Sequence, residues 1–264
     1  MARSKLIVDV QNTRDYRKVD INKAGVKGIK YPIIVLDKKN KTQHTIASIN
    51  MYVDLPCRFK GTHMSRFIEI LNRYRQGINV RNLFTVLHEM KKKLNAKSAH
   101  IEIEFPYFIE KTAPVSKAKS LLEYTCRLWG SLLHDRVDIT LGVEVPVTTL
   151  CPCSKEMSAK GAHNQRGIVS IKIKFKGLFW IEDVIKIAEK SASCEVYSLL
   201  KRPDEKHVTD KAYNNPMFVE DVVRTIAGKL QKNANITWFS VESENLESIH
   251  NHSAYALVEK SLCH

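Results

Sequence analysis

Apolar and polar residues alternate through VKGIKYPIIVLDK (26–38) and again through TQHTIASINMYVDLP (42–56), with a polar turn between them. A period of two marks a half-buried strand, so the two stretches predict a β-hairpin. The period then changes. MSRFIEILNRYR (64–75) places Phe67, Ile68, Leu71 and Tyr74 near helical spacing, and VRNLFTVLHEMKKKL (80–94) does the same with Leu83, Val86, Leu87, Met90 and Leu94. SAHIEIEFPYFI (98–109) and SLLEYTCRLWG (120–130) return to alternation, joined by a link containing Pro and Lys. The first half therefore reads β-β-α-α-β-β.

The second half repeats that order. LLHDRVDITLGVEVPV (132–147) and GIVSIKIKFKG (167–177) predict strands, WIEDVIKIAEKSA (180–192) and FVEDVVRTIAGKLQKN (218–233) predict helices, and NITWFSVESEN (235–245) and HSAYALVEK (252–260) predict two further strands. The repeat rests on element order, since no residue-level identity between the halves is visible. A boundary near residue 131 divides the chain into units 1–130 and 131–264. Hairpins flanking a helix pair favour antiparallel sheets with helices on one face, an α+β architecture.

Composition narrows the function classes. A hydrophobic fraction of 44% and an aromatic fraction of 8% over 264 residues belong to a globular chain with a real core. The 42 Lys and Arg against 28 Asp and Glu give a formal charge of +14, which favours anionic partners: nucleic acid, an acidic membrane surface or a phosphorylated small molecule. Basic residues are dispersed, as in MKKKL (90–94) and KIKFK (172–176), without a long basic tail, so a nucleic-acid arm is not expected; solvated helix faces are the plain alternative. No apolar run of 18 residues is present to span a bilayer, and MARSKLIVDVQ lacks the apolar core of a signal peptide. Six cysteines at 57, 126, 151, 153, 194 and 263 show no even framework, which points to a reducing cytoplasm and free thiols.

Chemistry concentrates in TTLCPCSKEMSAKGAHNQRG, where Cys151, Cys153, Lys155, Glu156, His163, Asn164, Gln165 and Arg166 crowd one connector. Loops are polar by default, but sulfur and imidazole donors together suit a soft or borderline metal. A Cys-x-Cys pair strains to chelate one ion through both sulfurs, so a single thiolate ligand is expected. KRPDEKHVTD (201–210), with Asp204, Glu205 and His207, and ESENLESIHNHSAY (242–255), with His250 and His252, are the segments able to complete a site. Spacing alone does not choose among them.

TTLCPCSKE, GAHNQR, LLKRPDEKHVT, NPMFVEDVVR and ESIHNHSAYA together resemble GTP cyclohydrolase I of the B type, the metal-flexible bacterial form. DVQNTRDYR (9–17) and FKGTHMSRF (59–67) extend the resemblance over most of the chain. It implies a tunnelling fold of two fused β-β-α-α-β-β units, a homotetramer, and GTP as substrate, opened at C8 to yield formate and 7,8-dihydroneopterin triphosphate for folate synthesis. Carried over residue by residue, it makes Cys151, His163, Glu205 and His250 the metal-site residues, and Glu220 the carboxylate that anchors guanine. His63, Ser65, Arg66, Lys155 and Arg166 are further candidates for substrate contacts, with a helix-surface charge as the plain alternative for Arg66.

These residue types suit the reaction. Zinc, manganese or iron held by thiolate, imidazole and carboxylate can make water a nucleophile near pH 7. His252 is the candidate proton shuttle, because imidazoles titrate near neutrality. Glu220 can accept the N1–H and N2–H of guanine, and an Arg fork matches phosphate oxygens. Three alternatives stay open: an archaeal-type cyclohydrolase releasing a cyclic phosphate, a non-catalytic metal-stabilised nucleic-acid module, and a thiol nucleophile as in nitrile reductases of queuosine synthesis.

Overall fold

The alternating stretches form long strands in the computed structural model, which describes residues 10–74, 78 and 80–262. In chain order they are β1 (Ile21–Asp37), β2 (Lys41–Leu55), β3 (Ser98–Thr112), β4 (Lys119–Leu133), β5 (Arg136–Leu150), β6 (Asn164–Phe175), β7 (Cys194–Glu195), β8 (Ile236–Leu246) and β9 (Ser253–Ser261). The helices are α1 (Met64–Arg73), α2 (Val80–Lys93), α3 (Pro152–Met157), α4 (Ile181–Glu189), α5 (Arg202–Asn214) and α6 (Val219–Leu230). The strands form one sheet in the order β1-β2-β3-β4-β5-β6-β8-β9, with β7 paired to β5. The expected α+β class and antiparallel pairing are present.

The described residues fall into two compact units, one drawn from those within 10–35, 44–104 and 128–139, the other from those within 36–43, 105–127 and 140–262. In the first, Ile49, Met51 and Val53 of β2 stand opposite Ile103, Ile101 and Ala99 of β3, and all six are buried. Helices α1 and α2 bury Phe67, Ile70, Leu71, Leu83, Leu87 and Met90. Gly130 lets α2 approach β4, since a Cβ there would lie 3.0 Å from Leu83 and 3.2 Å from Leu87. The β4–β5 hairpin turns on His134 (φ 47) and Asp135 (φ 63). Two successive left-handed residues are the turn that matches strand twist.

In the second unit the inward rows run straight across three strands: Leu141, Ile173 and Phe239, then Val143, Ile171 and Val241. Helix α6 packs on β8 and β9 and buries Val222, Val223, Ile226, Ala227 and Leu230. Each fully buried large aliphatic side chain contributes about 1.5–3 kcal/mol at most. Towards the strand ends the row becomes Val147, Gly167 and Asn245, where Asn245 occupies the space a Gly167 side chain would take. Among the described residues, several elements are absent from the sequence reading. Residues 151–157, expected as part of a loop, include the short helix α3; residues 202–214 form α5; and Cys194–Glu195 form β7.

Candidate functional site

The site begins where β5 ends. Leu150 N–H donates to Ser193 Oγ (3.1 Å), and the Leu150 carbonyl accepts from Met217 N–H (3.0 Å), so the strand end is tied down. Cys151 follows as the N-cap of α3, in an extended conformation, with Pro152 beginning the helix. Proline suits that first position because its missing N–H is not needed there. Ser154 N–H points at Cys151 Sγ (3.4 Å), so the cysteine side chain caps the start of the helix.

The chain then returns to the same place. Cys151 N–H donates to the His163 carbonyl (3.1 Å), and His163 N–H donates to Ser154 Oγ (3.1 Å). The strand register continues this closure, with Leu150 opposite Asn164 and Thr149 opposite Gln165. Two chemically useful residues twelve positions apart are therefore held side by side. The half-buried His163 ring places Nδ1 3.0 Å from Gln165 Oε1, 3.5 Å from Ser248 Oγ and 3.9 Å from Glu247 Oε2. A cavity beside this ring is lined by Gln165, Arg166, Glu195, Tyr197 and Glu247, among others.

The other expected ligands stand apart from that pair. Glu205 is exposed in the first turn of α5, and His250 is exposed in the connection between β8 and β9. His250 stacks on His252, with centroids 5.0 Å apart and planes 15° from parallel. Among the described residues, no group of three or more His, Cys, Asp or Glu side chains is close enough to hold a metal ion. The sulfur and imidazole of Cys151 and His163 are donor types that fit a borderline divalent ion, and with Nδ1 beside Gln165 Oε1, Nε2 is the ring nitrogen that would hold one. Within this chain the set is one assembled pair and two separate exposed donors.

The substrate candidates divide similarly. Glu220 is exposed at the start of α6 and carries neither a hydrogen bond nor an ion pair among the described residues. Its neighbour Asp221 does the capping, accepting Phe218 N–H at 3.1 Å. Arg166 is exposed at the cavity mouth. Lys155 is engaged: Nζ donates to the Tyr213 carbonyl (2.6 Å) and lies over the Tyr213 ring. His63, Ser65 and Arg66 belong to the first unit, where His63 is the N-cap of α1 and Arg66 Nη1 donates to the Lys93 carbonyl (3.1 Å).

Sequence reading missed the supports. Asp204, fully buried, accepts N–H bonds from Lys201, Val115 and Ser116, each at 2.8 Å, and so pins the start of α5 beside Glu205. Its carboxyl is held far below the usual range; burial works against this, and the hydrogen bonds from Ser116, Lys201 and Val115 prevail. Glu195 receives Tyr197 Oη–H (2.8 Å) and the Lys211 ammonium, tying β7 to α5. Burial pushes the neighbouring Cys194 thiol up to about 11, with the Glu195 charge adding to it. The Asp204 bonds to Val115 and Ser116 and the Lys211–Glu195 contact join residues 16 to 89 positions apart, so no local pattern signals them.

A family model for type I GTP cyclohydrolase folE2 matches residues 7–256. The GTP cyclohydrolase FolE2 of Syntrophus aciditrophicus is 63% identical over 254 residues, covering 96% of this chain and 100% of that one. The protein of the same name from Geobacter sulfurreducens is 59% identical, covering 96% and 97%. Among solved structures, urate oxidase from Bacillus sp. TB-90 aligns with a TM-score of 0.55 at 10% identity, covering 92% of this chain and 100% of that one. Uricase from Arthrobacter globiformis aligns with a TM-score of 0.51 at 9% identity, covering 91% and 93%. At such identity the likeness concerns the fold alone, and it bears out the tunnelling fold. No helix among the described residues is long and apolar enough to cross a membrane.

Proposed function

The chain belongs to the type I GTP cyclohydrolase folE2 family, and from that membership we propose that it hydrolyses GTP to 7,8-dihydroneopterin triphosphate and formate, the first reaction of pterin and folate synthesis. The observation that carries this reading is the Cys151–His163 pair, held together at the ends of two paired strands by the bond from Cys151 N–H to the His163 carbonyl and by the bond from His163 N–H to Ser154 Oγ. Family membership favours it over the nucleic-acid module, and the triphosphate product over the cyclic phosphate is part of the proposal.

The proposed ligands are Cys151, His163, Glu205 and His250, with zinc, manganese or iron as the ion. When bound, such an ion supplies Lewis acidity that makes water a competent nucleophile near neutral pH. Cys151 and His163 are presented by backbone already fixed, so little further ordering is needed for them to engage a ligand. Glu220, uncommitted at the start of α6, offers two acceptor oxygens to the N1–H and N2–H of guanine, donors that adenine does not present in that arrangement. Arg166 offers a planar donor fork to phosphate. Lys155 spends one of its three ammonium donors on the Tyr213 carbonyl, which holds α3 to α5, and has two left to offer phosphate.

His252, exposed beside His250, is the proposed proton shuttle. Ser65 is exposed, and Arg66 keeps donors beyond the one spent on Lys93; with His63 they are proposed contacts from the first unit. The two-unit reading, 1–130 and 131–264, and a cytoplasmic homotetramer complete the proposal. Edge strands β1 and β9 support assembly, since β9 exposes Tyr255 and Leu257 beside backbone groups able to pair with another chain. Cys151→Ala and His163→Ala are each expected to abolish formate release and lower bound metal, while Cys153→Ala, at an exposed position, retains both. Full activity in either of the first two would refute the site.

A further inference from the structure

We propose that Gln165 is a positioning residue for His163: its side-chain carbonyl fixes the ring in the Nδ1–H tautomer and turns Nε2 outward as the lone-pair donor. This rests on the reading of His163 as a metal ligand. The contact follows from strand geometry. Residues two apart on an extended segment project to the same side, so Gln165, the second residue of β6, lies on the same side as His163 just before it. Nδ1 lies 3.0 Å from Oε1, an acceptor, so the contact is a hydrogen bond when the ring carries its proton on Nδ1.

The other polar groups facing the ring are farther away. Ser248 Oγ stands at 3.5 Å, and Glu247 Oε2 at 3.9 Å is beyond hydrogen-bonding distance. The amide is therefore the direct partner. It is also well anchored: Gln165 is only 8% exposed, and β6 is held on both sides, by β5 and by β8. An acceptor on a rigid strand loses little freedom when it binds the ring, and it restrains ring rotation as well as proton position.

The residue type is specific in two respects. The side chain must reach the ring, and asparagine is one carbon–carbon bond, about 1.5 Å, shorter. It must also accept, because a donor facing Nδ1 would select the opposite tautomer and bury the lone pair. Partners of this kind around metal-binding histidines typically affect metal affinity by roughly 10- to 100-fold. Glutamine does so without placing another charge in a nearly buried position.

The test uses the full-length protein with Gln165→Met, which keeps length and removes the acceptor, and Gln165→Glu, which restores an acceptor. Zn2+ affinity is measured by chelator competition, the His163 tautomer of the metal-free protein by 15N NMR, and folding by thermal melting. Met is expected to weaken Zn2+ binding roughly 10- to 100-fold and to shift the ring towards the Nε2–H form, with melting still cooperative; Glu should restore the Nδ1–H form and most of the affinity. An unchanged tautomer and unchanged affinity in the Met variant would overturn the proposal. If His163→Ala leaves Zn2+ affinity unchanged, the ligand reading fails, while the NMR result still decides whether Gln165 sets the tautomer.

Discussion

Glu195→Gln removes one charge that ties α5 to the sheet while keeping the side chain's shape. In the native protein one carboxylate oxygen accepts Tyr197 Oη–H at 2.8 Å, and the other takes the Lys211 ammonium. Burial alone would raise the carboxyl pKa, but Lys211, the backbone N–H and Tyr197 together bring it from 4.5 down to about 2. At about 1.4 kcal/mol per pH unit, that difference corresponds to about 3 kcal/mol of stabilisation of the charged form. Lys211 is 43% exposed, so solvent screens part of it, and a loss of about 2 kcal/mol is expected in the variant. The sign follows from a depressed folded-state pKa: the contribution is complete above pH 4.5 and disappears as pH falls towards 2. Urea denaturation of both proteins at one fixed concentration, from pH 7 to pH 3, measures it. The gap should be widest at neutral pH and narrow steadily below pH 4.5. A gap that is independent of pH, or absent at pH 7, would refute the electrostatic argument.

Two further outcomes are expected. Gly167→Ala would place a Cβ 2.5 Å from Asn245 Oδ1 and 3.1 Å from Val147 Cγ2, so calorimetry should register a destabilisation of about 1–3 kcal/mol; Asn245→Ala in the same chain should recover part of it, and full stability in the single variant would show that the row is not tightly packed. Glu220→Ala should raise the KM for GTP while leaving bound metal unchanged, checked by steady-state kinetics and elemental analysis, because exposed Glu220 makes no hydrogen bond or ion pair among the described residues.

The strands and the amphipathic helices were legible because their periodicity is local. Val53, Met51 and Ile49 alternate along β2 with half-buried residues between them, and the same pattern lies opposite them in β3. Helix α5 was not legible for the same reason: RPDEKHVTDKAYN buries only Asp204 and Ala212, so it carries no apolar stripe to read. Its stability comes instead from Asp204 bonding to Val115 and Ser116 and from Lys211 reaching Glu195, all tertiary contacts. Within the candidate site, Cys151 and His163 stood out through density of useful residues in one segment. Gln165 belonged to that segment, but its role depends on which side of β6 it occupies. Ser248 approaches His163 from 85 residues away, a distance no sequence pattern spans.

Conversion of GTP by this chain can be measured directly. Purified protein loaded in turn with zinc, manganese and ferrous iron should release one formate per GTP consumed and yield a fluorescent pterin, after oxidation, that retains three phosphates. Release of pyrophosphate with a cyclic-phosphate pterin would contradict the product assigned here, and GTP left intact with every metal would contradict the activity itself.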